Sequence, residues 1–522
     1  MQSVSPGFTA EEDDPVRNIA HNLQVSWKKD STLSNRTFTI GVSSIGGNDV
    51  IGANPGAIGS PANYRYFDES TYATSLSWER GLKMPTGGLT KALAEATLDN
   101  TSGRFTPRYM GGTSELYTAV LPRRPMLISA GFNLDGIDQT IPQFSGVLNK
   151  TPKVDIRRRE VELQAADYVD FFQGRKIDQS AIYTGLRTDQ ILANQFAQQG
   201  MSTAQYDLDY GINIVPFVFA EKGDDFGNFV NELIQAEYGH GYMDETGVFK
   251  FRNRQWGDSS PYNAVQKIIF TGQVLSAEAP DDDHIINTVE IRSKVWQKQP
   301  LQTVFNLPPL TSITVPANSS TIQFFEFQDP ILQLTDPTNG GTNSYFIANS
   351  SSDGSGTDST SSISVANLGT FTKSVKYRFT NSTASDLYIT QLVIAARAAI
   401  NPIDIYVRNQ DDSSVTAYEE RNHSIDNPYV QNQDWANSLS QLVLSDFSEP
   451  ENLQRIVIRA IPELQLYDLV SWQGRYWRIF NIRAMLDPSI GFTQELTLLQ
   501  RTVTTYFRIG ISTIGGSDQI AP

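Results

Sequence analysis

Hydrophobic and polar positions alternate with a period of two over much of this chain, most densely between Ala94 and Asp167. Ala94, Ala96 and Leu98 alternate with polar neighbours, as do Met126 and Ile128, and then Val161, Leu163 and Ala165. A period of two puts every second side chain on one face, the mark of a half-buried strand. Asn100 to Gly103 supplies turn chemistry before Phe105. Short strands at near-regular spacing predict a small antiparallel barrel or sandwich. No acid/base pair, nucleophile or metal-ligand cluster interrupts the stretch.

Upstream, Leu23, Val25 and Trp27 give one strand pattern, and Phe38, Ile40 and Val42 a second. The first twenty or so residues, with Pro6, Pro15 and the run Glu11, Glu12, Asp13 and Asp14, read as an extended or disordered arm. Downstream the period changes. Ile191, Leu192 and Phe196 make the stripe of a short helix over Thr188 to Gly200, with Thr188 as its N-cap. Phe226, Phe229, Val230, Leu233 and Ile234 follow the i, i+3, i+4, i+7, i+8 spacing of an amphipathic helix ending at Gly239-His240-Gly241. A hairpin turning at Asp244 to Gly247 follows.

Strand-like sequence returns over Ile269 to Val295, including the acidic turn Asp281 to His284. Residues 302–412 are rich in Ser, Thr and Asn and read as a β-sandwich of six to eight strands, with Ser350 to Ser362 as a mobile loop. Trp435, Leu439, Val443 and Phe447 then share one face of a helix, and strands follow near 456–460, 469–472, 476–479 and 496–499. The predicted fold is mainly β with α+β parts, in several domains. These are residues 1–63 as N-terminal arm and strands; 64–180 as a first β-barrel-like domain; 181–260 as a small α+β domain; 261–301 plus 413–500 as a second β-barrel-like domain carrying helix 434–447; and 302–412 as the inserted sandwich. Residues 501–522 form a C-terminal strand and arm.

That last segment repeats an earlier one. FTIGVSSIGGND (Phe38 to Asp49) matches FRIGISTIGGSD (Phe507 to Asp518) too closely for chance. The paired glycines lack the following Lys-Ser/Thr and the strand–loop–helix setting of a phosphate loop, so they read as a duplicated strand and turn.

Composition narrows the function classes. The 522 residues include no cysteine, which removes disulfides, thiolate catalysis and Cys-based zinc sites. The formal charge of −16 argues against tight nucleic-acid binding, which needs clustered Lys and Arg, and suits solubility or a surface past which DNA moves. No run of about 18 apolar residues predicts a membrane span, and the acidic N-terminus lacks the apolar core of a secretory signal. The four histidines, His21, His240, His284 and His423, have no metal-site spacing. His240 between two glycines fits a helix C-terminus. Asp281 to His284 reads as an acidic surface turn rather than an ion site, and Asp353 to Asp358 lacks the closing Glu of a calcium loop. No G-x-S-x-G occurs, and no carboxylate pair stands out for glycoside hydrolysis. Arg157-Arg158-Arg159, the one dense basic cluster, suits inter-subunit salt bridges on an exposed strand or turn. No catalytic, cofactor-binding or metal-ligating residue is assigned.

In order along the chain, ATLDNTSGRFTP, PRRPMLISAGF, FSGVLNKTPKVD and RREVELQAADYVDFF resemble the N-terminal barrel of the tail-tip or baseplate hub proteins of tailed bacteriophages, also called minor tail or tail-associated hub proteins. NFVNELIQAEYGHGYMDETGVFKFRNR resembles that family's second domain. DDDHIINTVEIRSKV and ELQLYDLVSWQGRYWRIFNIRAMLDPSIGFTQELTLL resemble its second barrel. The resemblance spans most of residues 20–500, and residues 302–412 are extra to it. It implies a non-enzymatic structural protein of the virion tail tip, made in the host cytoplasm. Its trimer would use two similar barrels per subunit to join a sixfold tail tube to a threefold tip. Implied partners are other copies of itself, a distal tail or tail-tube ring, a tape-measure protein and tip or fibre proteins, with roles in host attachment and genome ejection. DNA would pass through without specific binding, and the acidic charge would suit a DNA-repelling lumen. Two alternatives stand beside it: a carbohydrate-binding adhesin acting on host glycans through the 302–412 sandwich, and a glycan-degrading tail enzyme.

Overall fold

A computed structural model describes residues 1–14, 17–29, 64–177, 181–258, 260–278, 284–449 and 453–500. The repeated segments Phe38 to Asp49 and Phe507 to Asp518, and Asp281 to Asp283, lie outside the described residues. The fold is mainly β, with several sheets and a few helices.

Among the described residues one sheet of fourteen strands dominates. Its main path runs through Val274–Ala277, Leu453–Arg459, Gly491–Gln500, Arg475–Asp487, Ala73–Gly81, Leu93–Asp99, Glu160–Ala166, Ile137–Leu148, Pro125–Leu134, Ile19–Lys29 and Tyr64–Asp68. Early and late parts of the chain therefore meet edge to edge. The meeting point is the antiparallel pairing of Ala73–Gly81 with Arg475–Asp487, in the register Leu76↔Leu486, Trp78↔Ala484 and Arg80↔Ile482.

The alternation seen in the sequence sets the registers. Ala94 lies opposite Ala165, Ala96 opposite Leu163 and Leu98 opposite Val161, and all six are buried. A one-residue slip would turn this apolar set to solvent, which is why the register is firmly specified. These residues share a core with Trp27, Trp78 and Phe105, and Ala460, Ala484 and Phe492 from the far end of the chain join it. Trp78 meets Phe492 with ring centroids 5.8 Å apart.

A second core packs the helices Thr188–Gln198, Phe226–Ala236 and Gln433–Phe447 against strands of the α+β segment and the late half of the sheet. Asp225 caps the Phe226–Ala236 helix by accepting from Asn228 N at 3.0 Å. In the Thr188–Gln198 helix the cap is Arg187, and Thr188 is the buried first helical residue instead of the cap. The hairpin His240–Met243 and Phe249–Arg252 turns at Asp244, whose carboxylate collects the N–H groups of Thr246 and Val248. The first half reaches this hairpin through Gly88–Leu89, which pairs in parallel with it. The approach needs Gly87, where φ is +72° and a Cβ would stand 2.2 Å from the Gly239 carbonyl oxygen.

The segment expected to be an inserted sandwich forms two facing sheets around a third core that includes Val315, Phe325, Tyr377, Phe379 and Ile389. It is attached by a 24-residue strand, Leu387–Gln410. The first part of that strand pairs within the insert, and the stretch from Ala399 to Gln410 pairs with Thr288–Lys298. A continuous strand, not a flexible linker, fixes the insert to the body. Thr372 Oγ1 adds bonds of 3.2 Å to the carbonyls of Ala181 and Ala220.

Two expectations are corrected. The segment read as a mobile loop is held by its own side chains. Asp353 accepts from Ser351 Oγ, Ser355 N and Ser355 Oγ, while Asn349 donates to the carbonyls of Gly354 and Gly356. These short polar residues satisfy the turn locally, so low hydrophobicity does not mean disorder here. The N-terminal arm is likewise folded for residues 1–14. Pro6–Asp13 is a helix with Pro at its first position, Ser5 Oγ accepting from Phe8 N, and Phe8 buried with its ring 4.9 Å from Phe132.

Because Trp78 fills a core shared by both halves of the sheet, Trp78→Ala is expected to destabilise the whole chain by about 3–5 kcal/mol. Urea unfolding followed by far-UV circular dichroism should show a lower midpoint for strands of both halves together.

Candidate assembly site

The join between the halves is backed by a seam of buried charge. Arg80, on the strand that makes the join, places Nη1 2.6 Å from Glu245 Oε1, with both side chains almost fully buried. Gln465 donates to the same carboxylate oxygen at 2.9 Å. Burial alone would raise the Glu245 carboxyl, but the Arg80 guanidinium outweighs it and holds the group below the ordinary range.

The second cluster ties the N-terminal helix to the late half. Lys267 Nζ lies 2.5 Å from Glu12 Oε2 and 3.0 Å from Glu463 Oε1. Both carboxylates are essentially inaccessible. One ammonium between two buried carboxylates leaves one negative charge unbalanced, and the cheapest remedy in a low-dielectric site is to keep a proton. Accordingly burial, reinforced by the neighbouring Glu463, pushes Glu12 up to about 9, against the opposing pull of Lys267. Around this cluster Gln2 N bonds the Glu463 carbonyl, Arg17 the Ala460 carbonyl and Gln2 Nε2 the Pro142 carbonyl. The N-terminal segment thus touches both halves of the sheet.

Lys267 also links this seam to the outer edge. It lies on the short strand Lys267–Ile268, which pairs in parallel with Leu469–Trp472. Lys267 and Ile269 turn inward, whereas Ile268 and Phe270 turn out and are 54% and 59% exposed. Leu275, on the edge strand Val274–Ala277, is 55% exposed. Among the described residues the strand Val274–Ala277 stands at the end of the sheet's main path, with exposed apolar side chains at and near it.

The remaining candidates are dispersed. Arg157, Arg158 and Arg159 form an exposed turn with Ile156 between Lys153–Asp155 and Glu160–Ala166. Asp155 accepts from the backbone N–H groups of Arg157 and Arg158, and the three guanidiniums make no ion pair among the described residues. His240 opens a strand instead of closing a helix, with its ring 5.7 Å from Phe480 and 6.0 Å from Tyr467. His21 Nε2 lies 3.3 Å from the Ser70 carbonyl oxygen, and burial lowers His423. Among the described residues no group of three His, Asp or Glu side chains is arranged to hold a metal ion. Sequence reading missed the Glu12–Lys267–Glu463 cluster because its members are up to 451 positions apart. Its one local signal is Lys267 on the inward register beside Ile269.

No family model matches the chain, and no curated protein matches it. Among solved structures it is similar to the 43 kDa tail protein of prophage MuSo2 from Shewanella oneidensis, at 10% identity and a TM-score of 0.42 over 84% of this chain and 95% of that one. It is similar to the tail protein from Neisseria meningitidis at 9% identity and a TM-score of 0.45, over 84% and 94% of the two chains. A third is an E. coli type VI secretion component described as similar to T4 bacteriophage tail proteins, at 9% identity and a TM-score of 0.38 over 83% and 74%.

Two outcomes follow from the seam. Glu12 keeps its proton in the folded chain up to about pH 9, whereas an unfolded Glu releases it near 4.5. Its contribution to stability is complete below about 4.5 and is lost as pH rises towards 9. Thermal melts should fall between pH 6 and 9, and Glu12→Gln, which mimics the protonated acid, should flatten that slope. Arg80→Met strands Glu245 without its partner, so a loss of about 3–5 kcal/mol is expected in chemical denaturation, with partial recovery on adding Glu245→Gln.

Proposed function

We propose that this chain is a structural hub of a phage tail, three copies of which close a ring at the distal end of the tail tube. The observation that carries the reading is the construction of the main sheet. An early and a late half are fused edge to edge through Ala73–Gly81 and Arg475–Asp487, with a core that both halves share at the join. A subunit with two sheet halves presents six such units in a trimer, which suits a ring that joins sixfold to threefold symmetry. The continuous strand and buried ion pairs make the subunit stiff, and a ring-building part has to hold its shape under load. The domain boundaries given by the sequence belong to the same proposal, with residues 64–180 and 261–301 plus 413–500 as the two ring-forming units.

The exposed apolar residues Ile268, Phe270 and Leu275 and the exposed Arg157–Arg159 turn are the surfaces assigned to contacts between subunits. With a chain charge of −16, an exposed arginine turn has acidic surface to meet on a neighbouring copy. Attachment to a tail-tube ring, to tape-measure and fibre proteins, and passage of DNA through the opening follow from the ring and carry the same status. No turnover is assigned.

Light scattering coupled to gel filtration tests the reading. The expected mass is about three times that of the chain. Charge reversal of the turn (Arg157→Glu, Arg158→Glu, Arg159→Glu) should shift the mass towards that of a single chain without lowering the melting temperature. A wild-type mass of one chain across the accessible concentration range would oppose the reading.

A further inference from the structure

Where the inserted sandwich meets the body, the chain forms a cleft of about 420 Å³. This volume is in the usual range for small-molecule sites, about 300–1,000 Å³. The body supplies Phe219, Trp296 and Tyr429, and the insert supplies Gln328 and Asp329. The strand Leu387–Gln410 runs unbroken between the two parts.

Its lining has three features. Trp296 stands edge-to-face against Phe219, with ring centroids 5.0 Å apart and planes at 85°, which locks a half-buried indole at the wall. Tyr429 is 8% exposed and packs on Phe229 at 5.9 Å. No hydrogen bond to its hydroxyl is found among the described residues, and the ring lines the cleft. Lys373 is neutralised by Glu221 at 2.7 Å, while Asp224 and Asp329 have no cationic partner among the described residues.

Flat aromatic walls favour a ligand with an apolar face. The polar groups include donors (Gln328 amide, Tyr429 hydroxyl) and acceptors (Asp224, Asp329, Gln328 carbonyl), which suits a ligand that both gives and takes hydrogen bonds. The two uncompensated carboxylates repel phosphate or carboxylate ligands. A simple cation would leave the donors unused. We propose that this cleft binds a neutral saccharide, stacked on Trp296 and hydrogen-bonded to Tyr429 and to the Asp and Gln side chains. The inference does not depend on the assembly reading. It also places the recognition at the joint between insert and body instead of within residues 302–412 alone.

The test is saturation-transfer NMR and tryptophan fluorescence on the full chain. Lactose, maltose and N,N′-diacetylchitobiose serve as neutral probes, with glucose 6-phosphate and lysine methyl ester as anionic and cationic controls. At least one neutral sugar should give a saturable signal below about 10 mM, where a weak Kd is still measurable. Trp296→Ala should weaken it by about tenfold or more. Tyr429→Phe preserves the packing and removes only the hydroxyl, so it should weaken the signal with an unchanged melting temperature. The proposal is overturned if no neutral sugar gives a saturable signal, if a charged control binds as well as the sugars, or if both variants bind like the wild type.

Discussion

The architecture depends on one strand pairing. Ala73–Gly81 and Arg475–Asp487 lie about 400 positions apart in sequence, yet their register Trp78↔Ala484 turns two partial sheets into one. An isolated half would expose this edge, with its free N–H and C=O groups and Trp78 beside it. Pairing satisfies those backbone groups and places Trp78, Ala484 and Phe492 in one core. The Arg80–Glu245 contact on the next inward-facing residue then fixes the hairpin behind the join. Charges are a weak source of net stability in such a place, since desolvation offsets most of their attraction. Their geometric demands are strict, however, so they suit the task of allowing one docking arrangement.

The N-terminal helix and the edge strand Lys267–Ile268 depend on that arrangement in turn. Glu12 and Glu463 can share Lys267 only when the helix, the edge strand and the 460–468 segment are all seated. The exposed Ile268 and Phe270 are presented by a strand whose alternate positions are anchored by this buried cluster. The surface assigned to assembly and the internal seam are thus two faces of one element.

Local features of this fold were readable in the sequence, and distant ones were not. Alternation located Leu93–Asp99, Pro125–Leu134 and Glu160–Ala166, and the 3.6-residue period located Phe226–Ala236 and Gln433–Phe447, because those signals come from neighbouring positions. The helix at Pro6–Asp13 was missed because its acidic run looked solvated. Glu12 is buried only by virtue of Lys267, 255 positions away. The 350–362 loop was misjudged for the opposite reason: composition records how few apolar groups it has but not that Asp353 and Asn349 bond nearly every turn. The cleft was invisible, since Gln328 and Asp329 of the insert face Phe219, Trp296 and Tyr429 of the body only once the insert is docked.

On the hub proposal, this two-halved subunit closes a ring. Electron-microscopy class averages of the purified chain test it most directly. The account predicts threefold rings whose outline shows six lobes, two from each subunit. Particles of single-subunit size with no closed-ring views, across the accessible concentration range, would contradict it.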